Sequence, residues 1–128
     1  MKFTETFANV LLILAIVGTT AGIFLYENAL ENDRECITIH FRTYENGNPT
    51  PNVVHIPNNE KSCFRLTSDD TTHMFNLPDF GIYSEPIHPG KWTYVDFTPE
   101  EAGEFSFVCT VVCSPLHSKV RGKIIVDN

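Results

Sequence analysis

Residues 104–126 read EFSFVCTVVCSPLHSKVRGKIIV. Both ends of this stretch, EFSFVC at 104–109 and KIIV at 123–126, are short, rich in β-branched or aromatic residues, and read as β-strands. Side chains alternate faces along a strand, so Phe105, Phe107 and Cys109 point together toward a core. The loop between the strands then places Cys113 four residues and His117 eight residues after Cys109. Three soft or borderline metal donors thus share one segment. Simpler readings compete with a metal loop: a local disulfide, or buried thiols with His117 merely on the surface. A structural zinc site is another, although zinc favours paired C-x2-4-C units with two further ligands at similar spacing. A remote histidine tips the reading toward copper. His73 opens the apolar strand HMFNL at 73–77, and a three-donor loop plus one distant imidazole at the same end of a β-scaffold is how a stiff frame imposes copper geometry.

The strand pattern extends through most of the chain. CITIHFR at 36–42, NVVHI at 52–56, KSCFRLT at 61–67 and KWTYVDF at 91–97 are separated by turn segments such as NGNPTP at 46–51 and HPG at 88–90. About seven short strands in about a hundred residues indicate a β-sandwich. Cys36 shares its strand face with Thr38 and His40, and Cys63 shares its face with Arg65, so both thiols lie on polar faces. If those strands are neighbours, the two form a disulfide closing a loop of about 27 residues, worth about 3 kcal/mol in the chain-entropy model. The other reading is two unrelated free cysteines. His40, His55 and His88 lack ligand-spaced companions and read as surface residues, and Met74, of opposite parity to His73, reads as packing over the site. Core packing is the expected role of Trp92, Phe41 and Tyr44, with an exposed docking ring as the alternative for each.

Ahead of the strands, FANVLLILAIVGTTAGIFLY from Phe7 to Tyr26 runs twenty residues without a charge. That length crosses the hydrocarbon layer as a helix. A cleavable signal peptide cut after Ala21 is the rival, but the apolar run continues through Ile23, Phe24 and Leu25. The expected organisation is a transmembrane anchor at 1–26, a polar juxtamembrane linker at 27–35 (ENALENDRE), and one domain at 36–128. Lys2 on the short N-terminal side places that terminus in the cytoplasm and the domain outside the plasma membrane, where a disulfide persists.

With 9 basic and 16 acidic side chains the net charge is −7, which excludes a nucleic-acid backbone as the main partner. All but one member of each sign fall beyond Tyr26, so the exposed domain would draw a cationic protein to it. No nucleophile sits with a base, and no glycine loop fits a phosphate, so no catalytic residue is assigned to this chain.

Taken together, these residues resemble subunit II of heme-copper terminal oxidases, such as cytochrome c oxidase, in a single-helix form. The family motif is a remote His followed by C-x3-C-x3-H-x2-M, and here it stands as His73, Cys109, Cys113 and His117, with Val120 where the family has Met. The likeness runs through LTSDDTTHMF, PGKW and EEAGEFSFVCTVVCSPLHSKVRGKIIV. It implies an all-β, cupredoxin-like Greek-key sandwich behind one transmembrane helix, and a binuclear copper centre of the CuA type. It also implies that Cys109 and Cys113 bridge two coppers, that His73 and His117 each cap one, and that the Val111 carbonyl serves as a further ligand. A valine has no lone pair, so one copper loses its weak axial thioether and the potential shifts; mononuclear copper or no metal are the harsher readings.

By this resemblance the chain accepts electrons for a membrane heme-copper oxidase. Its donor would be a cytochrome c or blue copper protein, and the electrons would pass to heme in a larger partner subunit. Three alternatives stand beside it: the equivalent subunit of a nitric oxide reductase, a free-standing anchored cupredoxin that carries electrons or copper, and a structural subunit that has lost its copper.

Overall fold

The structure, a computed structural model, describes residues 2–32 and 35–128. The chain divides into two compact units, Met1–Glu35 and Cys36–Asn128. The first is one helix, α1 (Phe3–Asn32). Its stretch Phe3–Leu30 contains an 18-residue window with a mean hydropathy of 2.2, none of it buried. A helix that is apolar all round and has no covered face finds its solvent in lipid. The hydroxyls of Thr19 and Thr20 donate back to the carbonyls of Ala15, Ile16 and Val17, so they bring no unsatisfied polar group into that layer. The helix fits a single-pass membrane anchor.

Helix α1 also runs beyond the apolar stretch into the expected linker. ENALEN contains Glu, Ala and Leu and no Gly or Pro, so an existing helix propagates through it at little cost. Asp33 and Arg34 of that linker, like Met1, lie outside the described residues.

The second unit is a β-sandwich of eight strands, β1 (Ile37–Phe41), β2 (Val53–Pro57), β3 (Ser62–Ser68), β4 (Phe75–Leu77), β5 (Ile82–Tyr83), β6 (Thr93–Phe97), β7 (Gly103–Cys109) and β8 (Arg121–Asp127). One sheet has the order β1-β3-β6 and the other β2-β8-β7-β4-β5. Strands β1 and β3 are parallel, as are β2 and β8, while the remaining pairs are antiparallel. The alternating pattern puts Ile39, Phe41, Phe64, Leu66, Phe75, Phe107, Ile124 and Val126 between the sheets. Phenylalanines dominate that layer: Phe75 and Phe107 have ring centroids 5.3 Å apart, and Phe64 stacks on Phe97 at 5.6 Å. Strand β5 has only two residues and no strand signature of its own; pairing with β4 creates it.

Parity on β1 and β3 has a covalent consequence. Ile37 pairs with Phe64 in parallel register, which sets Cys36 beside Cys63 on the outer face. The two are joined in a disulfide with Cα atoms 4.7 Å apart. Replacing both with alanine is expected to lower stability by about 3 kcal/mol. For a domain of this size that means an unfolding midpoint lower by about 12 °C or more, read by circular dichroism of the full chain in detergent. An unchanged midpoint would show that pairing of β1 and β3 holds the sheet without the crosslink.

Candidate metal centre

His73 precedes β4 and is pinned by its backbone: its N–H donates to the Ile87 carbonyl at 3.0 Å, and its carbonyl accepts from the Ile87 N–H at 2.8 Å. Two residues on, Phe75 pairs with Cys109 at the end of β7, so the sheet itself brings imidazole and thiol together. The His73 side chain is fully buried and packs against Phe41, with ring centroids 5.6 Å apart. Its Nδ1 lies 3.7 Å from the Cys109 Sγ. Cys109 Sγ is 3.8 Å from Cys113 Sγ and 3.4 Å from the Val111 carbonyl oxygen. Both thiols are free, so the local disulfide does not form. Ligand atoms of His73, Cys109 and Cys113 all lie within 4.8 Å of one another.

The loop from Cys113 back to β8 is built on local hydrogen bonds. The Ser114 hydroxyl accepts from the Leu116 N–H, and its carbonyl accepts from the His117 N–H. These start a single 3-10 turn, His117–Lys119. Val120 closes it: its N–H donates to the His117 carbonyl at 3.1 Å, and its carbonyl accepts from the Cys109 N–H at 3.0 Å. The Val120 side chain is fully buried. His117 stands outside the compact three-donor group, and its Nδ1 is buried without a hydrogen-bond partner.

One residue that the motif does not contain organises the site. Asp70 accepts at one oxygen from His73 Nε2 at 2.7 Å and from the Thr71 N–H at 2.7 Å. Its other oxygen accepts from the Thr43 N–H at 2.7 Å and the Asn46 amide at 2.9 Å. Burial pushes this carboxyl up, but the hydrogen bonds from Asn46, His73 and the backbone of Thr43 and Thr71 outweigh it and hold it well below the usual carboxylate range. An ionised carboxylate only accepts, so the proton of His73 sits on Nε2 and Nδ1 is turned to the thiols. Metal-binding histidines usually have such a partner. The signal in the sequence was Asp70 three residues before His73 in SDDTTH.

The thiols differ from each other. For His73, burial pushes the imidazole pKa down, yet Cys109 and Asp70 beside it raise it overall. For Cys109, burial pushes up, and the His73 ring beside it together with the backbone of Met74 and Val111 brings it below the ordinary thiol value. Cys113 is pushed up to about 12 by burial and by the charge on Cys109. Met74 meets Cys109 through its backbone.

The other histidines are surface residues, as their sequence context indicates: His40 bonds Asp69, His55 bonds Asp127 and His88 bonds Thr72. The core role expected of three aromatics holds for Phe41 alone. Trp92 and Tyr44 are 47% and 44% exposed. Trp92 immediately precedes β6, Tyr44 opens a 3-10 turn (Tyr44–Asn46) beyond β1, and each carries a cation on its ring. The Arg65 guanidinium lies 4.3 Å from the Trp92 centroid and the Lys119 ammonium 5.0 Å from that of Tyr44.

The donor set fits a soft metal. A first-row ion with bonds of about 2.0 Å to nitrogen and 2.3 Å to sulfur would sit among three such donors spaced about 3.7–4.0 Å apart, close to the 3.7 Å and 3.8 Å that separate Cys109 from His73 and Cys113.

Comparison with known proteins agrees with this fold. A family model for the cupredoxin-like domain matches residues 11–126. The alternative cytochrome c oxidase subunit 2 of Bradyrhizobium diazoefficiens is 31% identical over 58% of this chain and 26% of its own length. Cytochrome c oxidase subunit 2 of Alkalihalophilus pseudofirmus is 28% identical over 91% of this chain and 37% of its own. The chain therefore spans well under half of either relative. A chain from the cryo-EM structure of a heme-copper terminal oxidase dimer has the same fold, with a TM-score of 0.61 over 97% of this chain and 99% of that one, at 18% identity.

Proposed function

The chain belongs to the cupredoxin-like domain family, and from that premise we propose that it is the subunit through which electrons enter a membrane heme-copper oxidase. The fold implies copper binding, and a His/Cys/Cys group stands ready for it. The observation that carries the proposal is the buried His73 imidazole aimed at two free thiols, at the end of the sandwich where His117 presents an unpartnered nitrogen. In this reading His73, Cys109, Cys113 and His117, with the Val111 carbonyl, hold a binuclear copper centre. Such a centre would supply one-electron transfer, with soft sulfur donors tuning the metals.

The chain's own residues supply the frame. Asp70 holds the His73 ring, the Ile87 bridge holds its backbone, and β7 carries Cys109. Phe41 and Val120, both fully buried, exclude water from the metal-facing side. No bond-making step falls to this chain; oxygen chemistry belongs to a larger heme-containing subunit, against which α1 packs. Residues 36–128 lie outside the plasma membrane, an oxidising setting in which the Cys36–Cys63 disulfide persists. The acidic surface draws a small cationic donor such as a cytochrome c.

Purified full chain loaded with copper is expected to hold two coppers and to show an electron-spin signal shared over both, and the chain isolated from its native membrane is expected to carry heme with it. One copper with an ordinary four-line pattern would end the binuclear reading. A heme-free preparation with two coppers would leave a free-standing carrier instead.

A further inference from the structure

We propose that the loop at 43–48 positions His117: Asp70 anchors this loop beside His73, and the Tyr44 ring it carries holds Lys119, which shares a 3-10 turn with His117. The inference rests on the copper reading above, which makes His117 a ligand, and adds the residues that set its place.

One end of this brace is the carboxylate that also holds His73. Asp70 accepts from His73 Nε2 at one oxygen, and at the other from the Thr43 N–H at 2.7 Å and the Asn46 amide at 2.9 Å. Those two anchors bracket Tyr44, which opens the turn Tyr44–Asn46. Within the loop the Thr43 carbonyl accepts from the N–H groups of Asn46 and Asn48, and the Tyr44 carbonyl accepts from that of Gly47. Gly47 ends the turn at φ 104°, a left-handed value that favours glycine. Tyr44 is therefore carried on a segment fixed on both sides, although its ring is 44% exposed.

The other end is the turn His117–Lys119, which contains no buried residue. The His117 Nδ1 has no hydrogen-bond partner to orient it. Backbone bonds, with the Arg121 guanidinium at the Ser118 carbonyl 2.7 Å away, tie the turn to its own loop and to the strands it joins. A contact that reaches a distant part of the chain comes from the Lys119 ammonium, 5.0 Å from the centre of the Tyr44 ring. Lys119 makes no ion pair among the described residues, so the ring is the partner that fixes where its side chain lies.

A ring face attracts an ammonium, and at an exposed site the attraction shifts an equilibrium about two- to fivefold. That bias matters here because a turn closed by local bonds alone opens easily. It sets how often His117 is presented in one place, and donors already in place bind a metal more tightly. Through Asp70 the same loop is tied to His73, so one segment relates the positions of both imidazoles.

Amide hydrogen exchange of the metal-free full chain in detergent, with its free thiols kept reduced, reads the turn through the Val120 N–H, which donates to the His117 carbonyl. Lys119→Met and Tyr44→Leu are each expected to speed this exchange about two- to fivefold. Lys119→Arg and Tyr44→Phe keep a cation over a ring and are expected to retain the wild-type rate. Asn46 bonds Asp70 rather than the turn, yet Asn46→Ala is expected to speed the same exchange. In the Lys119→Met background it adds nothing, because both substitutions act through one brace. Equal rates in wild type and Lys119→Met, or effects of the two substitutions that simply add, would overturn the brace. Copper affinity is expected to fall about two- to fivefold in Lys119→Met and to hold in Lys119→Arg. A loosened turn with unchanged affinity would overturn the positioning of a ligand. A wild-type chain that binds no copper, with the exchange pattern intact, would overturn the copper reading and leave the brace as a contact of the fold.

Discussion

Cys109→Ser is expected to abolish the two-copper centre while the sandwich still folds. The Cys109 sulfur sits at the middle of the donor set, 3.7 Å from His73 Nδ1, 3.8 Å from Cys113 Sγ and 3.4 Å from the Val111 oxygen. A serine oxygen sits on a shorter bond and is a hard, neutral donor, so it neither reaches two metals nor carries the charge that a thiolate brings. Copper affinity should fall by more than the 10–100-fold that follows loss of a supporting group, and the two-metal spin signal should vanish. The fold should survive, because Cys109 lies at the end of β7 and its backbone bonds to Phe75 and Val120 do not involve sulfur. Equilibrium dialysis against buffered copper measures the first effect, and thermal unfolding of the metal-free chain checks the second. Retention of two coppers in this variant would show that Cys109 is a core residue and that the metal lies elsewhere.

Strand parity was the part of the site that the sequence made legible. Alternation alone put Cys109 on the core side with Phe105 and Phe107, and put Cys36 and Cys63 on outer faces, where a parallel register joins them. Four-residue spacing is short enough that one loop must bring Cys109 and Cys113 close, whatever the details. The lost information is the kind that depends on where loops fold back. Asp70 reaches His73 because the backbone turns between them, and the same carboxylate holds Thr43 and Asn46 from a loop 24 or more residues away in sequence. No periodicity encodes that meeting. Trp92 and Tyr44 were misread for a related reason: Trp92 immediately precedes β6 and Tyr44 opens the 3-10 turn after β1, so neither shares the cover of the strand whose composition it resembles. Helix α1 ran on past its apolar segment because helix propensity, unlike membrane solvation, does not stop at the first charge.

Gly122→Ala is expected to be the most damaging small substitution in the sandwich, lowering stability by about 4 kcal/mol, beyond the 1–3 kcal/mol usual for overpacking. Gly122 lies opposite Phe107 in the β7–β8 register and is buried. A Cβ there would stand 2.3 Å from Phe107 Cζ and 2.5 Å from the Asn52 carbonyl oxygen. Neither obstacle yields cheaply. The Asn52 carbonyl accepts the Lys123 N–H at 2.7 Å, and so is fixed where β2 begins. The Phe107 ring is fully buried and packs against Phe41 and Phe75, with centroids 6.0 and 5.3 Å away. A displaced Phe107 therefore pushes on Phe41, which packs on His73, and a methyl group on β8 disturbs the metal site from a distance. The unfolding midpoint of the full chain should drop by about 16 °C or more. Phe107→Leu in the same chain should recover part of the loss, since a shorter side chain frees the space, and that recovery distinguishes ring displacement from any effect on β8 alone. A midpoint within about 2 °C of wild type would mean that the ring swings aside at no cost and that the aromatic layer does not hold His73 in place.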